Sequence, residues 1–312
     1  MSRRRLLAIV IGGAVLIVGA FVGVVVATSG SSSGELVLYS ARSHYGEEQP
    51  FERFAKETGT DLTLRGGSAS ELYERLRSEG SNTPADVLIT VDAANLWRAQ
   101  EAQLVDGWQP LTQRARTIMR STERVGEEEI SDYEGLGDPR WKGRLCLRSG
   151  TSEYNVSFIA DRLAKDGRAA TERMLRRWMA NDPDILGSDV DVLNAIAEGD
   201  CDVGLTNSYY LGRELEEDPD FPVAPVWADQ DGRGTHVNLS GLGVVAGSDQ
   251  ADDAQDLIEF LVSPEQQQVF SDNNHEFPVT EELEFEADPI DVEAAGARLD
   301  DALNLMDEVG WG

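Results

Sequence analysis

The chain has 312 residues and is strongly acidic, since 57 Asp and Glu residues outnumber 27 Lys and Arg residues and give a formal net charge of −30 at pH 7. This charge excludes nucleic acid as a partner, because phosphate backbones are bound by basic surfaces. The length and the 41% of apolar residues suit a globular body with one large domain or two ordinary ones.

The first 34 residues are expected to form an export signal or membrane anchor with a tether. Three arginines at 3–5 precede an uncharged run at 6–27, which as a helix rises about 33 Å and is long enough to cross a bilayer. Basic residues stay in the cytoplasm, so the rest of the chain is expected outside it. The long run favours a retained anchor, although residues 25–27 also form an acceptable cleavage site. The Ser/Gly-rich residues 28–34 are typical of a flexible tether.

The remaining chain alternates short apolar strands with amphipathic helices. This alternation is typical of a parallel sheet that is covered by helices on both faces. The pattern predicts strands at 36–39, 62–64, 86–90, 143–147, 202–205 and 237–245, and helices at 47–57, 70–78, 93–102, 156–164, 169–179, 190–198, 252–262 and 264–271.

Several tyrosines follow these predicted strands by a few residues, and the most informative are the neighbours Tyr209 and Tyr210. Adjacent side chains on a strand point to opposite faces, so both phenols can serve one site only where the backbone leaves the strand. Tyr45 and Tyr154 occupy similar positions, and ligands of parallel sheets bind beyond the carboxyl ends of the strands. A hard trivalent cation can displace phenolic protons that otherwise leave near pH ~10. Together these tyrosines indicate a site for ferric iron.

Cys146 and Cys201 are the only cysteines. Outside the cytoplasm a disulfide between them is permitted, and both flank short apolar runs that could be neighbouring strands. Two small buried thiols are the equally open alternative. Their spacing matches no zinc pattern.

The ordered sequence blocks resemble the periplasmic ferric-iron-binding proteins, which are the solute receptors of ABC-type iron importers. The resemblance runs from residue 35 to the C-terminus. It includes Leu-Tyr-Ser-Ala-Arg-Ser-His-Tyr at 38–45, Trp-Lys-Gly-Arg-Leu-Cys-Leu-Arg-Ser at 141–149, Asn-Ser-Tyr-Tyr-Leu at 207–211 and Leu-Met-Asp-Glu-Val-Gly-Trp at 305–311. The chain departs from the family by a shorter link at 106–110, where none of the candidate ligands lies.

The resemblance implies a two-lobed α/β fold of the periplasmic-binding-protein type (type II), with a hinge of crossing strands. Its lobes close on Fe³⁺. The implied division is a first lobe at 35–115, a second lobe at 116–235, a return to the first lobe at 236–288 and a C-terminal helical segment at 289–312.

The resemblance also implies the ligand set of the site. The family's tyrosine ligands match Tyr45, Tyr154, Tyr209 and Tyr210, and His44 matches a residue that coordinates iron in some members. Arg148 resembles the cationic residue that offsets phenolate charge or holds a synergistic anion beside the metal. Fe³⁺ prefers hard oxygen donors, which agrees with this set.

The sequence therefore predicts a monomeric, extracytoplasmic receptor that captures Fe³⁺ and delivers it to an inner-membrane ABC permease. A receptor for another small solute, such as an oxyanion or a polyamine, and a tethered iron sensor are the alternatives. An enzyme is not expected, because the chain has no Ser-His-Asp arrangement, no His-Glu-x-x-His pattern and no phosphate-binding glycine loop.

Overall fold

A computed structural model describes residues 34–42 and 49–312. The predicted leader and the candidate ligands His44 and Tyr45 lie outside these ranges. Within them, no helix combines the length and the apolar character that a membrane span requires.

The first lobe begins with three parallel strands that alternate with helices. Its strands pair in the order β2, β1, β3, so the connecting helices cover the sheet. Ser68 and Asp92 cap the second and third helices through their side-chain oxygens, which explains where those helices begin. The elements are β1 (Glu35–Ser40), α1 (Gln49–Thr58), β2 (Asp61–Gly66), α2 (Ala69–Glu79), β3 (Val87–Thr90) and α3 (Ala93–Glu101).

Two long strands, β4 (Gln109–Ser121) and β9 (Thr235–Val244), run from one lobe into the other. They pair antiparallel until Ala115 lies opposite Val237, and from Arg116 onward β4 pairs with a strand of the second lobe instead. Tyr133 bridges β4 and β9 where the two strands separate. Its hydroxyl donates to the Arg116 carbonyl of β4 at 2.7 Å and accepts from the His236 amide of β9 at 3.0 Å. The two crossing strands are thus fastened where the sheets diverge.

The second lobe repeats the alternation, and its strands β7, β5 and β6 lie in this order beside β4. The disulfide Cys146–Cys201 joins the middle strand to the start of its neighbour, with Cα atoms 5.8 Å apart. The elements are β5 (Leu145–Arg148), α4 (Glu153–Asp166), α5 (Arg168–Met179), β6 (Asp184–Leu186), α6 (Asp189–Glu198), β7 (Val203–Asn207), α7 (Ser208–Glu217) and β8 (Val223–Val226).

After β9 the chain returns to the first lobe and then ends against the second. Leu257, Ile258 and Phe270 are buried in the same core as the first strand. Helix α11 packs on the second lobe, where Trp311 meets Trp178 with ring centroids 5.9 Å apart, whereas α10 lies against both α4 and α3, with Gly296 close to the Trp97 ring. The elements are α8 (Ala251–Leu261), α9 (Pro264–Asn274), β10 (Phe277–Pro278), β11 (Ala287–Pro289), α10 (Val292–Gly296) and α11 (Leu299–Val309).

Each helix and strand that the alternation predicts is present, with ends that differ by a few residues, apart from positions 47–48, which lie outside the described residues. The pattern does not predict β4, because Arg114, Arg116 and Arg120 make this strand too polar for a typical buried strand. These arginines are nevertheless buried. The short link at 106–110 overlaps the start of β4, which begins at Gln109 and has a register irregularity between Pro110 and Thr112.

Candidate metal centre

Tyr209 and Tyr210 lie where strand β7 changes into helix α7. The strand ends at Asn207, whose extended backbone precedes the first helical residue, Ser208. Successive residues of a helix are about 100° apart rather than on opposite faces, so both side chains can turn to one side. Both are buried, and their ring centroids are 4.3 Å apart. The expected departure from the strand is confirmed.

Tyr154 joins this pair from the first turn of α4, which follows strand β5. The Tyr209 hydroxyl donates to the Tyr154 hydroxyl at 3.1 Å, and the side-chain amide of Asn207 donates to Tyr209 at 3.4 Å. Three of the four predicted tyrosine ligands therefore meet at one point. The fourth, Tyr45, and its neighbour His44 lie in the segment that the structure does not describe.

The environment favours the protonated form of Tyr209 and Tyr210 in the metal-free protein. Burial raises the pKa of Tyr209 well above its usual value, and the nearby Tyr154, Tyr210 and Asp189 add to the shift. Burial and Asp189 also raise the pKa of Tyr210. Near neutral pH a ligand that needs phenolates must therefore displace protons, which a trivalent cation can do.

A buried carboxylate holds two arginines beside the phenols. Asp189, at the start of α6, accepts from Arg116 at 3.0 Å and from Arg148 at 2.9 Å. Burial disfavours the charged form of Arg148, but Asp189 outweighs it and raises the pKa of this guanidinium. The Arg148 guanidinium carbon lies 5.3 Å from the centre of the Tyr154 ring. Arg148 therefore forms a salt bridge with Asp189 and also lies beside the candidate ligand Tyr154.

Arg114 is a third arginine beside the phenols, and the sequence analysis did not predict it as a site residue. It is 2% exposed, and its guanidinium carbon lies 5.6 Å from the centre of the Tyr154 ring. Neither of its terminal nitrogens has a hydrogen-bond partner within the described part of the chain. The two-residue spacing of Arg114 and Arg116 puts both on one face of β4, which was the available signal. Buried donors without acceptors are costly and suit an anionic ligand.

Glu153 was also missed, although it directly precedes Tyr154. Its carboxylate accepts a hydrogen bond at 2.9 Å from the backbone amide of Ala69, the first residue of α2 in the other lobe. Burial, with a further contribution from Asp92, raises the pKa of Glu153 to about 7. This contact joins the two lobes next to the phenols.

Among the residues that the structure describes, the other groups with metal-ligand chemistry do not form a competing site. Cys146, Cys201 and Asp184 have ligand atoms within 4.8 Å of one another, but bonded cysteines offer no thiolate. His236 lies on β9 with its Nδ1 atom 3.2 Å from Asp161, and His275 pairs with a surface glutamate. We therefore define the tyrosine cluster by its three phenols and the charged groups around them, which are Tyr154, Tyr209, Tyr210, Arg114, Arg116, Arg148 and Asp189.

Residues 49–273 match the family described as bacterial extracellular solute-binding protein. The chain is 38% identical to "Iron uptake protein A1" of Synechocystis sp., and the alignment covers 89% of this chain and 87% of that protein.

Solved structures show the same fold. A Trichodesmium protein described as "in complex with iron and citrate ligands" superposes with a TM-score of 0.79 at 36% identity, covering 89% of this chain and all of that one. A "ferric binding protein" from Campylobacter jejuni superposes with a TM-score of 0.82 at 30% identity, again covering 89% of this chain and all of that one. The two-lobed fold expected from the sequence is confirmed.

Proposed function

Because this chain belongs to the ferric-iron-binding proteins among the bacterial extracellular solute-binding proteins, we propose that it captures Fe³⁺ outside the cytoplasm and delivers it to an ABC-type importer. It is a non-enzymatic component of transport. The ion is its cargo, and the lobes close around it.

The meeting of three phenols from two different helices carries this proposal. Tyr154 and Tyr209 share a hydrogen bond of 3.1 Å, and the rings of Tyr209 and Tyr210 are in contact. Fe³⁺ prefers hard, anionic oxygen donors, which deprotonated phenols supply. We assign Tyr45 as the fourth phenolate and His44 as a further ligand, both contributed by the first lobe.

The charges around the phenols agree with ferric iron. Two of the three arginines of the tyrosine cluster, Arg116 and Arg148, pair with Asp189, which is the only carboxylate of that cluster, so cationic side chains outnumber anionic ones within it. Four phenolates exceed the charge of Fe³⁺ by one, and nearby guanidinium groups stabilise such an excess. Arg148 would offset the charge of Tyr154, and the unpartnered nitrogens of Arg114 would hold a synergistic anion.

The finer assignments follow the same proposal. The partner is an inner-membrane ABC permease, the receptor acts as a monomer, and residues 1–34 export it or tether it to the membrane. The first lobe comprises 35–115 and 236–288, the second lobe 116–235, and 289–312 form the C-terminal helical segment.

A ferric titration followed by visible absorption tests the proposal. The wild-type protein should develop a phenolate-to-iron absorption band. Tyr209→Phe should lose most of that band and bind iron roughly 100-fold more weakly or worse. Mutation of residues that only hydrogen-bond to metal ligands lowers metal affinity by about 10–100-fold, and the loss of a direct ligand should have a larger effect. Tyr133→Phe is the matched control. It also removes a buried, hydrogen-bonded hydroxyl, but outside the tyrosine cluster.

The control should lower stability by about 1–3 kcal/mol and leave the iron band in place. An unchanged titration in Tyr209→Phe would refute the ligand assignment. Binding of phosphate or a polyamine by a wild-type protein that develops no band would instead favour a receptor for another solute.

A further inference from the structure

Helix α4 of the second lobe makes two contacts with helix N-termini of the first lobe. Glu153 accepts from the Ala69 amide of α2 at 2.9 Å. One turn later, the Ser157 hydroxyl donates to Asp92, the residue that caps α3, at 2.7 Å. Residues four apart lie on the same helix face, so this face of α4 is directed at the first lobe.

The two contacts differ in their relation to the hinge. Asn238 of crossing strand β9 donates to both Ser157 and Asp92, at 2.7 and 3.3 Å. That contact therefore belongs to the hinge. No crossing-strand residue shares the bond between Glu153 and Ala69 in the described part of the chain. A rotation about the hinge would separate Glu153 from Ala69.

The first turn of helix α2 has a backbone donor, the Ala69 amide, that can be satisfied by an acceptor from the other lobe. Its capping box is closed, because the Ser68 hydroxyl accepts from the Glu71 amide and the Glu71 carboxylate accepts from the Ser68 amide. The Ala69 amide belongs to the first turn, where backbone donors have no partner inside the helix. Ala69 is 1% exposed, so its donor needs an acceptor from the protein, and a carboxylate is favoured at this positive helix end.

Glu153 is linked directly to the site through the chain. It precedes Tyr154, and both residues lie in the first turn of α4. An iron ion held by Tyr154 together with ligands of the first lobe would bring the two lobes together in this region. The bond between Glu153 and Ala69 can form in that closed state, and it then opposes reopening.

We propose that Glu153 is a positioning residue that keeps the lobes closed over the bound ion through its hydrogen bond to the Ala69 amide, and that it thereby slows iron release. This inference rests on the proposed capture of Fe³⁺ between the lobes. Glu153 contributes no ligand atom to the metal, so its removal acts on the rate of opening and leaves the coordination unchanged.

Three single variants and one double variant test the inference through iron release to an excess of chelator. Glu153→Ala should release iron roughly ten-fold faster or more, because it removes the acceptor of the buried Ala69 amide. Glu153→Gln retains an acceptor and should restore most of the slow release. Ala69→Pro removes the donor at the helix position where proline is best tolerated, and the extended backbone of Ser68 suits a following proline. It should accelerate release to a similar degree.

The double variant Glu153→Ala/Ala69→Pro should release iron no faster than the faster single variant, because both changes break the same bond. Scattering measurements should show a larger radius of gyration for Glu153→Ala and Ala69→Pro than for the wild type and Glu153→Gln. Wild-type release rates in Glu153→Ala, or rate effects that multiply in the double variant, would overturn the inference. The phenolate-to-iron band separates this failure from failure of the proposed function, since it should persist in every variant.

Discussion

Two buried groups of charged and polar side chains lie close to the crossing strands, and they are built in opposite ways. The first, here called the hinge cluster, joins α4 to β9 and β11 and pairs each charge with an opposite one. The tyrosine cluster collects groups of the same kind, with three phenols and three arginines around one carboxylate. The hinge cluster consists of Asp161, Arg162, Lys165, His236 and Asp288.

The hinge cluster has the arrangement expected of structural charges. Asp161 lies 2.9 Å from Lys165, 3.1 Å from Arg162 and 3.2 Å from His236, and Asp288 pairs with the first two. Burial opposes the charged form of Asp161, but these partners outweigh it and lower the pKa of this carboxyl. Such a group is costly to break.

The tyrosine cluster is incomplete without a ligand. Burial raises the pKa values of Tyr209 and Tyr210, and Arg114 has two donors without acceptors within the residues that the structure describes. Buried polar groups without partners destabilise a protein, so their presence beside a cleft is a sign of function. The comparison shows that the carboxylates of the hinge cluster pair with its cations, although the Arg162 Nε atom also lacks a hydrogen-bond partner among the described residues, whereas the tyrosine cluster has three arginines for one carboxylate.

The largest expected effect comes from breaking the hinge cluster. Asp161→Asn removes a carboxylate that compensates Arg162 and Lys165, and it should lower the free energy of unfolding by about 3 kcal/mol, near the lower end of the range for buried pairs because Asp288 remains. Chemical denaturation measures this loss. The phenolate-to-iron band should be retained. A variant that is as stable as the wild type, or that loses the band while folded, would contradict the comparison.

Arg114→Met should affect iron affinity and not stability, which is the opposite of the effect expected for Asp161→Asn. It removes buried donors without partners, so stability should stay equal or rise by about 1 kcal/mol, while ferric affinity falls roughly 10–100-fold. Arg120→Met on the same strand is the matched control. The Arg120 guanidinium donates to the Val125 carbonyl at 2.8 Å and to Glu127, so its loss should lower stability and preserve affinity. An Arg114→Met protein that is less stable than the wild type but binds iron with full affinity would contradict the difference drawn between the tyrosine cluster and the hinge cluster.

The third expected effect is the pH dependence of iron binding. The pKa values of Tyr209 and Tyr210 are raised in the metal-free protein, and the bound phenols are deprotonated, so binding releases protons. Apparent affinity should therefore fall as pH drops, about tenfold per pH unit for each phenol that loses a proton, or about 1.4 kcal/mol.

Competition against a chelator of known pH dependence measures this slope. Tyr210→Phe should lower the slope of log affinity against pH by about one, because the variant has one phenolic proton fewer to release. A slope that is the same in both proteins would show that Tyr210 does not bind iron as a phenolate.

The sequence predicts local structure and the second-lobe tyrosines well, for physical reasons. Apolar alternation predicts most strands of the sheet but not β4, β6 or β8, and the position of Tyr209 and Tyr210 after a strand indicates that the backbone leaves the strand there. These features depend on neighbouring residues only. The assignment of all the ligands as a set, with His44 and Tyr45 included, stays a prediction.

Other features depend on partners that are distant in sequence. Nothing local shows that Asp189 pairs with both Arg116 and Arg148, or that Arg114 is left without acceptors. The contact between Glu153 and Ala69 spans 84 positions and requires the two lobes to meet. Spacing alone likewise left two states open for the cysteines, which the structure joins in a disulfide.

A crystal structure of the ferric-loaded protein, with anomalous scattering recorded at the iron edge, tests the central claim most directly. The account predicts a single iron peak within bonding distance of the phenol oxygens of Tyr154, Tyr209 and Tyr210, with Tyr45 completing the set from the first lobe. An iron peak away from these hydroxyls, or bonded to only one of them, would contradict it.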